Sequence, residues 1–164
     1  MRSALILGGL ALVLIVGNAA VVERERVLAS GTPVLLELAP VDPRSLIQGD
    51  YMRLDYVLAR QLPDSQPRWP RIGEIVIALN EHGVARFVRR HDGRSPLGQG
   101  EHLLTYRRKR GSIQVGTDAF HFQEGDAPTY TGARYGELRV ARSGTSVLVG
   151  LRDSARAVLR PPAR

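Results

Sequence analysis

The chain has no cysteine in its 164 residues. Disulfide bonds are therefore absent, and thiolate metal sites and Cys-based redox chemistry are excluded outright. A domain without disulfides must be held together by its core. Lysine is nearly absent too: Lys109 is the only one, so the net charge of +7 is carried almost wholly by arginine. A phosphate-binding loop is missing, since Gly93, Gly98 and Gly100 are not followed by a helix start with a lysine. His82, His91, His102 and His121 are scattered, with no pair at i, i+4 and no acidic residue at a ligand spacing. The pattern holds no internal repeat, no low-complexity tract and no long amphipathic helix. No metal and no cofactor is expected.

What the chain does have is one long apolar run. Ala4 to Val22 is uncharged over 19 residues, interrupted only by Asn18 and three glycines. As a helix it spans roughly 28 Å, close to the hydrocarbon thickness of a bilayer. It has no polar face to turn toward water, which argues against a buried core helix. Arg2 and the α-amine flank it on one side, and the charges of Glu23, Arg24, Glu25 and Arg26 cancel on the other. The positive-inside bias then favours a cytoplasmic N-terminus and an exported remainder. A cleaved signal peptide is the competing reading, because Gly17-Asn18-Ala19 offers small residues at a cleavage spacing. The run is longer than a usual signal core, so an inner-membrane anchor is expected; cleavage would leave a periplasmic or secreted domain.

These boundaries divide the chain into an anchor at 1–26, with its membrane helix at 4–22, an exported β-rich domain at 27–160, and a flexible tail at 161–164. About 140 residues beyond the anchor suffice for one domain with a real core. A basic balance of this kind suits an anionic membrane or envelope surface. Nucleic acid is the other usual partner of such a charge, but an exported domain rarely meets it. A solvated basic face with a coding bias toward arginine accounts for the charge better than either binding role.

After Arg26 the pattern is one of short strands. Val34 to Leu38 is apolar and ends at the turn-prone Ala39-Pro40-Val41-Asp42-Pro43. Asp42-Pro43-Arg44-Ser45-Leu46 predicts a short helical turn, broken by Gly49. Tyr51 to Leu62 reads as a strand, and the three prolines of 63–71 make that stretch a loop. Asn80-Glu81-His82-Gly83 joins Glu74–Leu79 to Val84–Arg90 as a hairpin. A glycine- and charge-rich stretch, 91–100, precedes the strand Leu103–Lys109, and short pieces at 112–115 and 119–123 follow. Gly136–Arg142 and Ser146–Leu151 form a second hairpin about Ser143-Gly144-Thr145. The fold class expected is mainly β: an N-terminal transmembrane helix, then a small antiparallel sheet or barrel-like domain with at most short helical turns.

The octet Gly49-Asp50-Tyr51-Met52-Arg53-Leu54-Asp55-Tyr56 is the most specific feature. Gly49 lets the chain turn sharply into a strand, and Asp50 is placed to accept hydrogen bonds from turn amides. Side chains alternate in a strand, so Asp50, Met52, Leu54 and Tyr56 share one face and Tyr51, Arg53 and Asp55 the other. Leu54 and Tyr56 read as core, and Arg53 and Asp55 as a solvent pair. On one reading the octet is a structural corner. On the other, Asp50, Tyr51 and Arg44 surround a cleft as a polar recognition spot.

Read as GDYxxLxY, the octet resembles the signature of the bacterial GDYXXLXY family. Pro40-Val41-Asp42-Pro43-Arg44 resembles that family's lead-in to the motif. Phe120-His121-Phe122-Gln123-Glu124-Gly125 resembles its aromatic-Glu-Gly patch, so the likeness covers most of the exported domain. The resemblance implies association with the membrane and a β-rich exported domain. It brings no catalytic residues with it.

Enzyme readings lack a constellation. A Ser45–Lys109 dyad would need a buried, unprotonated lysine, but Lys109 lies in the cationic run Arg107-Arg108-Lys109-Arg110. Asp50, Asp55, Glu124 and Asp126 could supply paired carboxylates for glycoside chemistry, of which Glu124 stands out by following an aromatic strand. The expectation is a single-pass, non-catalytic accessory module that binds an envelope or integral membrane partner. Its candidate site is the octet residues Gly49, Asp50, Tyr51, Arg53, Leu54 and Tyr56, with Glu124 more distant. The alternative is an envelope hydrolase, protease- or glycosidase-like, with a site assembled from residues far apart in the chain.

Overall fold

The computed structural model describes residues 2–40, 47–48, 51–62, 69–109 and 112–162, with side chains from residue 6 on and backbone alone at 47–48. The apolar run lies within α1 (Arg2–Ser30), a helix about 43 Å long. From Ile6 to Arg26 every side chain of α1 is exposed. Among the described residues it is the one helix long and apolar enough to cross a membrane. Asn18, the polar residue in the run, donates its side-chain amide to the Leu14 carbonyl at 2.8 Å.

The helix continues past the four charges and enters the β domain. Val27 is 2% exposed, packed where α1 meets the sheet. The Gly31 N–H donates to the Val27 carbonyl at 2.8 Å, closing the last turn. A side chain at Gly31 would collide with that carbonyl oxygen and lie 3.0 Å from the Val140 nitrogen and 3.1 Å from Arg139 Cβ. Only glycine lets the chain pass from helix to strand this close to the sheet.

In chain order there follow β1 (Thr32–Glu37), β2 (Ile47–Gln48), β3 (Tyr51–Arg53), α2 (Val57–Gln61), β4 (Ile72–Leu79), β5 (Ala85–Arg90), β6 (Glu101–Lys109), β7 (Ser112–Val115), β8 (Ala119–His121), α3 (Ala127–Tyr130), β9 (Tyr135–Val140) and β10 (Ser146–Arg152). They form antiparallel sheets ordered β1-β9-β10, β2-β3-β8 and β5-β4-β6-β7, one of them curled into a half-barrel. The mainly β class expected from the pattern is the class observed. Both expected hairpins are present. Asn80 Oδ1 accepts from the N–H groups of His82 and Val84, each at 2.9 Å, and Gly83 has φ +74°. The Gly144 N–H donates to Ala141 at 2.9 Å in the β9–β10 turn.

Strand periodicity of two builds the core. Val34 and Leu36, Ile75 and Ile77, Leu104 and Tyr106 are i, i+2 pairs, all fully enclosed, joined by Leu138 and Leu151. Each such side chain contributes roughly 1.5–3 kcal/mol by leaving water, which is how a domain without disulfides holds together.

One expected element is corrected. The strand predicted over Tyr51–Leu62 stops at Arg53, and Val57–Gln61 is the helix α2. Leu54, Leu58 and Leu62 recur every fourth residue, and all three are buried. That spacing is helical, and Ala59, Arg60 and Gln61 favour a helix. The Ala39 N–H takes the Asp55 carbonyl at 2.7 Å, and Ala59 and Arg60 both donate to the Tyr56 carbonyl, so the chain turns there. A second short helix, α3, was not foreseen and buries Tyr130. The helical turn expected at 42–46 lies outside the described residues, as do 63–68 of the proline-rich loop.

Candidate functional site

The octet makes the corner between β3 and α2. Met52, Leu54 and Tyr56 are buried, Tyr51 and Asp55 half-buried and Arg53 exposed, the alternation expected of this stretch even though the strand itself is short. Gly49 and Asp50, and with them Arg44 and Ser45, lie outside the described residues. β3 pairs with β8 in the register Tyr51↔His121, Met52↔Phe120 and Arg53↔Ala119. Octet and aromatic patch, some seventy residues apart, are thus adjacent strands. The Tyr51 and His121 rings stand 5.7 Å apart, and Phe120 and Phe122 pack on Tyr130 at 4.9 and 5.3 Å.

Below this corner opens a cleft of about 720 Å³. One wall is the octet: Tyr51, Arg53, Leu54, Asp55 and Tyr56. Ala59 of α2, the whole of β7 and Thr117–Ala119 complete its lining. Four of the expected site residues (Tyr51, Arg53, Leu54 and Tyr56) therefore line one cavity. Glu124 does not. It is exposed in the turn after β8, five residues beyond Ala119 and past the opposite end of the β3–β8 ladder from Arg53.

A model of the GDYXXLXY protein family matches residues 13–151. The chain belongs to the GDYXXLXY family. No curated protein and no solved structure matches it. The matched span begins inside α1 and ends inside β10, so it takes in the helix–sheet joint together with the octet and the cleft.

The tyrosine that closes the GDYXXLXY octet is a packing residue. Tyr56 is 2% exposed, and a side chain at Gly136 would meet its ring at 3.1 Å and its hydroxyl at 3.2 Å. Glycine on the central strand β9 is thus the price of fitting this ring. Gly136 carried a readable signal, because a lone glycine in a strand marks a close approach. The Tyr56 hydroxyl is buried with no hydrogen-bond partner among the described residues. Burial, and then the negative charge of Asp118, push its pKa well above the ordinary tyrosine value. The group is a neutral phenol, unsuited to act as a base or nucleophile.

Charges around the cleft are mostly spoken for. Arg60 on α2 donates to Asp55 Oδ2 through Nη2 at 2.7 Å and Nε at 3.1 Å. Asp55 thus pairs with Arg60 and not with Arg53, because α2 carries Arg60 back over the corner. Lys109 reaches Asp118 at 3.9 Å across solvent. Arg53 has no ion pair among the described residues.

The other chemistry-bearing residues do not converge. Lys109 is 63% exposed and ion-paired, the opposite of a buried, deprotonated lysine. His82 is in a turn, His102 on β6, and His121 against Tyr51, while the His91 N–H bonds the Glu74 carbonyl at 3.0 Å. Among the described residues, no three His, Cys, Asp or Glu side chains are grouped to hold a metal. Asp126 is buried at the start of α3, away from the cleft.

Proposed function

We propose that this GDYXXLXY protein is a non-catalytic interaction module of the cell envelope, anchored by residues 4–22 with its N-terminus in the cytoplasm and its β domain exported. The cleft beneath the octet receives a partner that is itself in or close to the membrane. The observation that carries this reading is the continuity of α1. Val27, the first buried residue, follows Val22 by five residues, or about 7 Å of helix. Gly31 then locks the helix against β9. A domain joined in this way cannot range far from the bilayer, so its cleft is presented to membrane proteins. The internally bonded Asn18 side chain suits a helix in lipid. A cleft whose Arg53 has no ion pair, and which gathers no nucleophile, base or metal ligands, among the described residues suits recognition better than catalysis.

The test is a tagged pull-down from detergent-solubilised membranes, comparing the native chain with Tyr51→Ala at matched abundance. Tyr51 lines the cleft without belonging to the enclosed core. A membrane partner held by the native chain and lost by the variant is the expected result. The same partner with both would move the site away from the octet, and no partner with either would overturn the reading.

A further inference from the structure

We propose that Arg71 and Arg108, facing each other beside Trp69, bind a phosphoryl group that carries two negative charges or more. Neither residue lines the cleft, so this site is separate from the one described above. Strand pairing brings the two arginines together. β4 and β6 pair as Gly73↔Tyr106 and Ile72↔Arg107, and the Arg108 N–H donates to the Arg71 carbonyl at 2.8 Å, one step further along the ladder. Arg71 and Arg108 are therefore directly opposite, with their side chains on one face and their Cβ atoms roughly 5 Å apart. Alternation makes it the face of Tyr106, which is fully enclosed. Arg90 shares that face, opposite Ile75, and its guanidinium lies 5.8 Å from the centre of the Trp69 ring. Trp69 meets the Tyr106 ring edge-on at 4.9 Å. Burial raises the Tyr106 pKa, and the positive charges of Arg90 and Arg108 pull it back, so both arginines stand near this ring.

Like charges set directly opposite one another destabilise a sheet. A solvated basic face explains arginines that point apart into water, but not a pair opposed on the core-facing side. Arg108 is half-buried, and neither it nor Arg71 pairs with a carboxylate among the described residues. The acidic side chains of the same sheet and its loops are directed elsewhere. Alternation puts Glu74 on the other face of β4, Asp92 is bonded by Arg94 and Ser95, and Asp118 faces Lys109. An anion between the two guanidinium groups turns their repulsion into two charge-assisted pairs. Each planar fork fits two oxygens of one anion, so a facing pair suits a group with several charged oxygens, as a phosphoryl group has.

The test titrates full-length protein in phosphatidylcholine nanodiscs with pyrophosphate, following emission from Trp69, the single tryptophan. A saturable change is expected that sodium chloride of matched ionic strength does not produce. Arg71→Gln and Arg108→Gln should each raise Kd about 10-fold, the loss of one charge-assisted pair. Arg107→Gln, next in the strand but on the opposite face, should leave Kd unchanged. Without pyrophosphate, Arg71→Gln should raise the unfolding midpoint, because the repulsion is gone. Pyrophosphate should then raise the midpoint of the native chain more than that of the variant. Nanodiscs containing phosphatidic acid identify the source. An emission change in them without pyrophosphate makes the ligand a lipid headgroup, and a change with pyrophosphate alone makes it a soluble phosphoryl compound. No saturable response to either, an equal loss with Arg107→Gln, or a lower midpoint for unliganded Arg71→Gln overturns the site.

Discussion

Replacing Tyr56 with phenylalanine should leave the protein at least as stable as the native chain, although Tyr56 closes the family octet. Its ring is enclosed, and its hydroxyl is buried without a hydrogen-bond partner among the described residues. Burying a hydroxyl in this way costs about 1–3 kcal/mol in proteins. Removing it leaves a gap of one oxygen beside Gly136, which takes back part of the gain. The expected net effect is a stabilisation of about 1 kcal/mol, or roughly 4 °C in the unfolding midpoint. Tyr56→Ala empties the ring's volume as well and should cost about 3–5 kcal/mol.

A pH series sharpens the comparison. The folded-state pKa of Tyr56 lies above its ordinary value of 10.0, so as pH rises the unfolded chain releases this proton first. Stability is therefore complete below that value and falls above it, approaching a loss of about 1.4 kcal/mol per pH unit. Tyr56→Phe removes that contribution, and the variant's advantage should widen in alkali. Emission from the single tryptophan, the buried Trp69, reports unfolding of the full-length protein in detergent. A phenylalanine variant less stable than the native chain by about 1 kcal/mol or more near pH 7 would refute the reasoning, because the hydroxyl would then have a partner.

Two further outcomes are expected. Gly31→Ala should lower the urea midpoint by an equivalent of about 1–3 kcal/mol, since the added carbon meets backbone on two sides. Alanine otherwise favours a helix by about 1 kcal/mol, so a raised midpoint would show that the joint between α1 and the sheet is loose. In the 91–100 loop, the Asp92 carboxylate accepts from the Arg94 and Ser95 amides and the Ser95 hydroxyl, which hold its pKa below the ordinary 3.8. Its stabilisation is present above that ordinary value and lost as pH falls below it. Hydrogen exchange at Arg94 and Ser95 should accordingly lose protection in acid, and Asp92→Asn should flatten that dependence; identical profiles would rule out this carboxylate as the cause.

Much of this protein is written locally. The apolar run at 4–22 needs no partner to be recognised, because its length and lack of charge are properties of the segment alone. The hairpins at Asn80–Gly83 and Ser143–Thr145 are likewise set by turn chemistry within a few residues. Alternation identified Met52, Leu54 and Tyr56 as inward-facing. The same alternation carried the strand too far, because Tyr51 and Tyr56 favour strands while the fourfold spacing of Leu54, Leu58 and Leu62 marks a helical turn over a window only nine residues long.

The site itself was legible only in halves. Tyr51 and Arg53 stood out in the octet and Glu124 in the aromatic patch, but nothing local joins β3 to β8 or sets Glu124 apart from Arg53. Nor does any nearby residue bring β7 and the octet to one cleft, bring Arg60 onto Asp55, or seat the Tyr56 ring against Gly136. Sequence period determines which side of an element seeks apolar surroundings; it is silent on which distant element supplies them. That choice is made when the whole core packs at once, because strand pairing across long loops wins only if every enclosed side chain finds its complement. The apolar helix, the two hairpins and the inward face of the octet were decided by the sequence alone, and the cleft by tertiary packing.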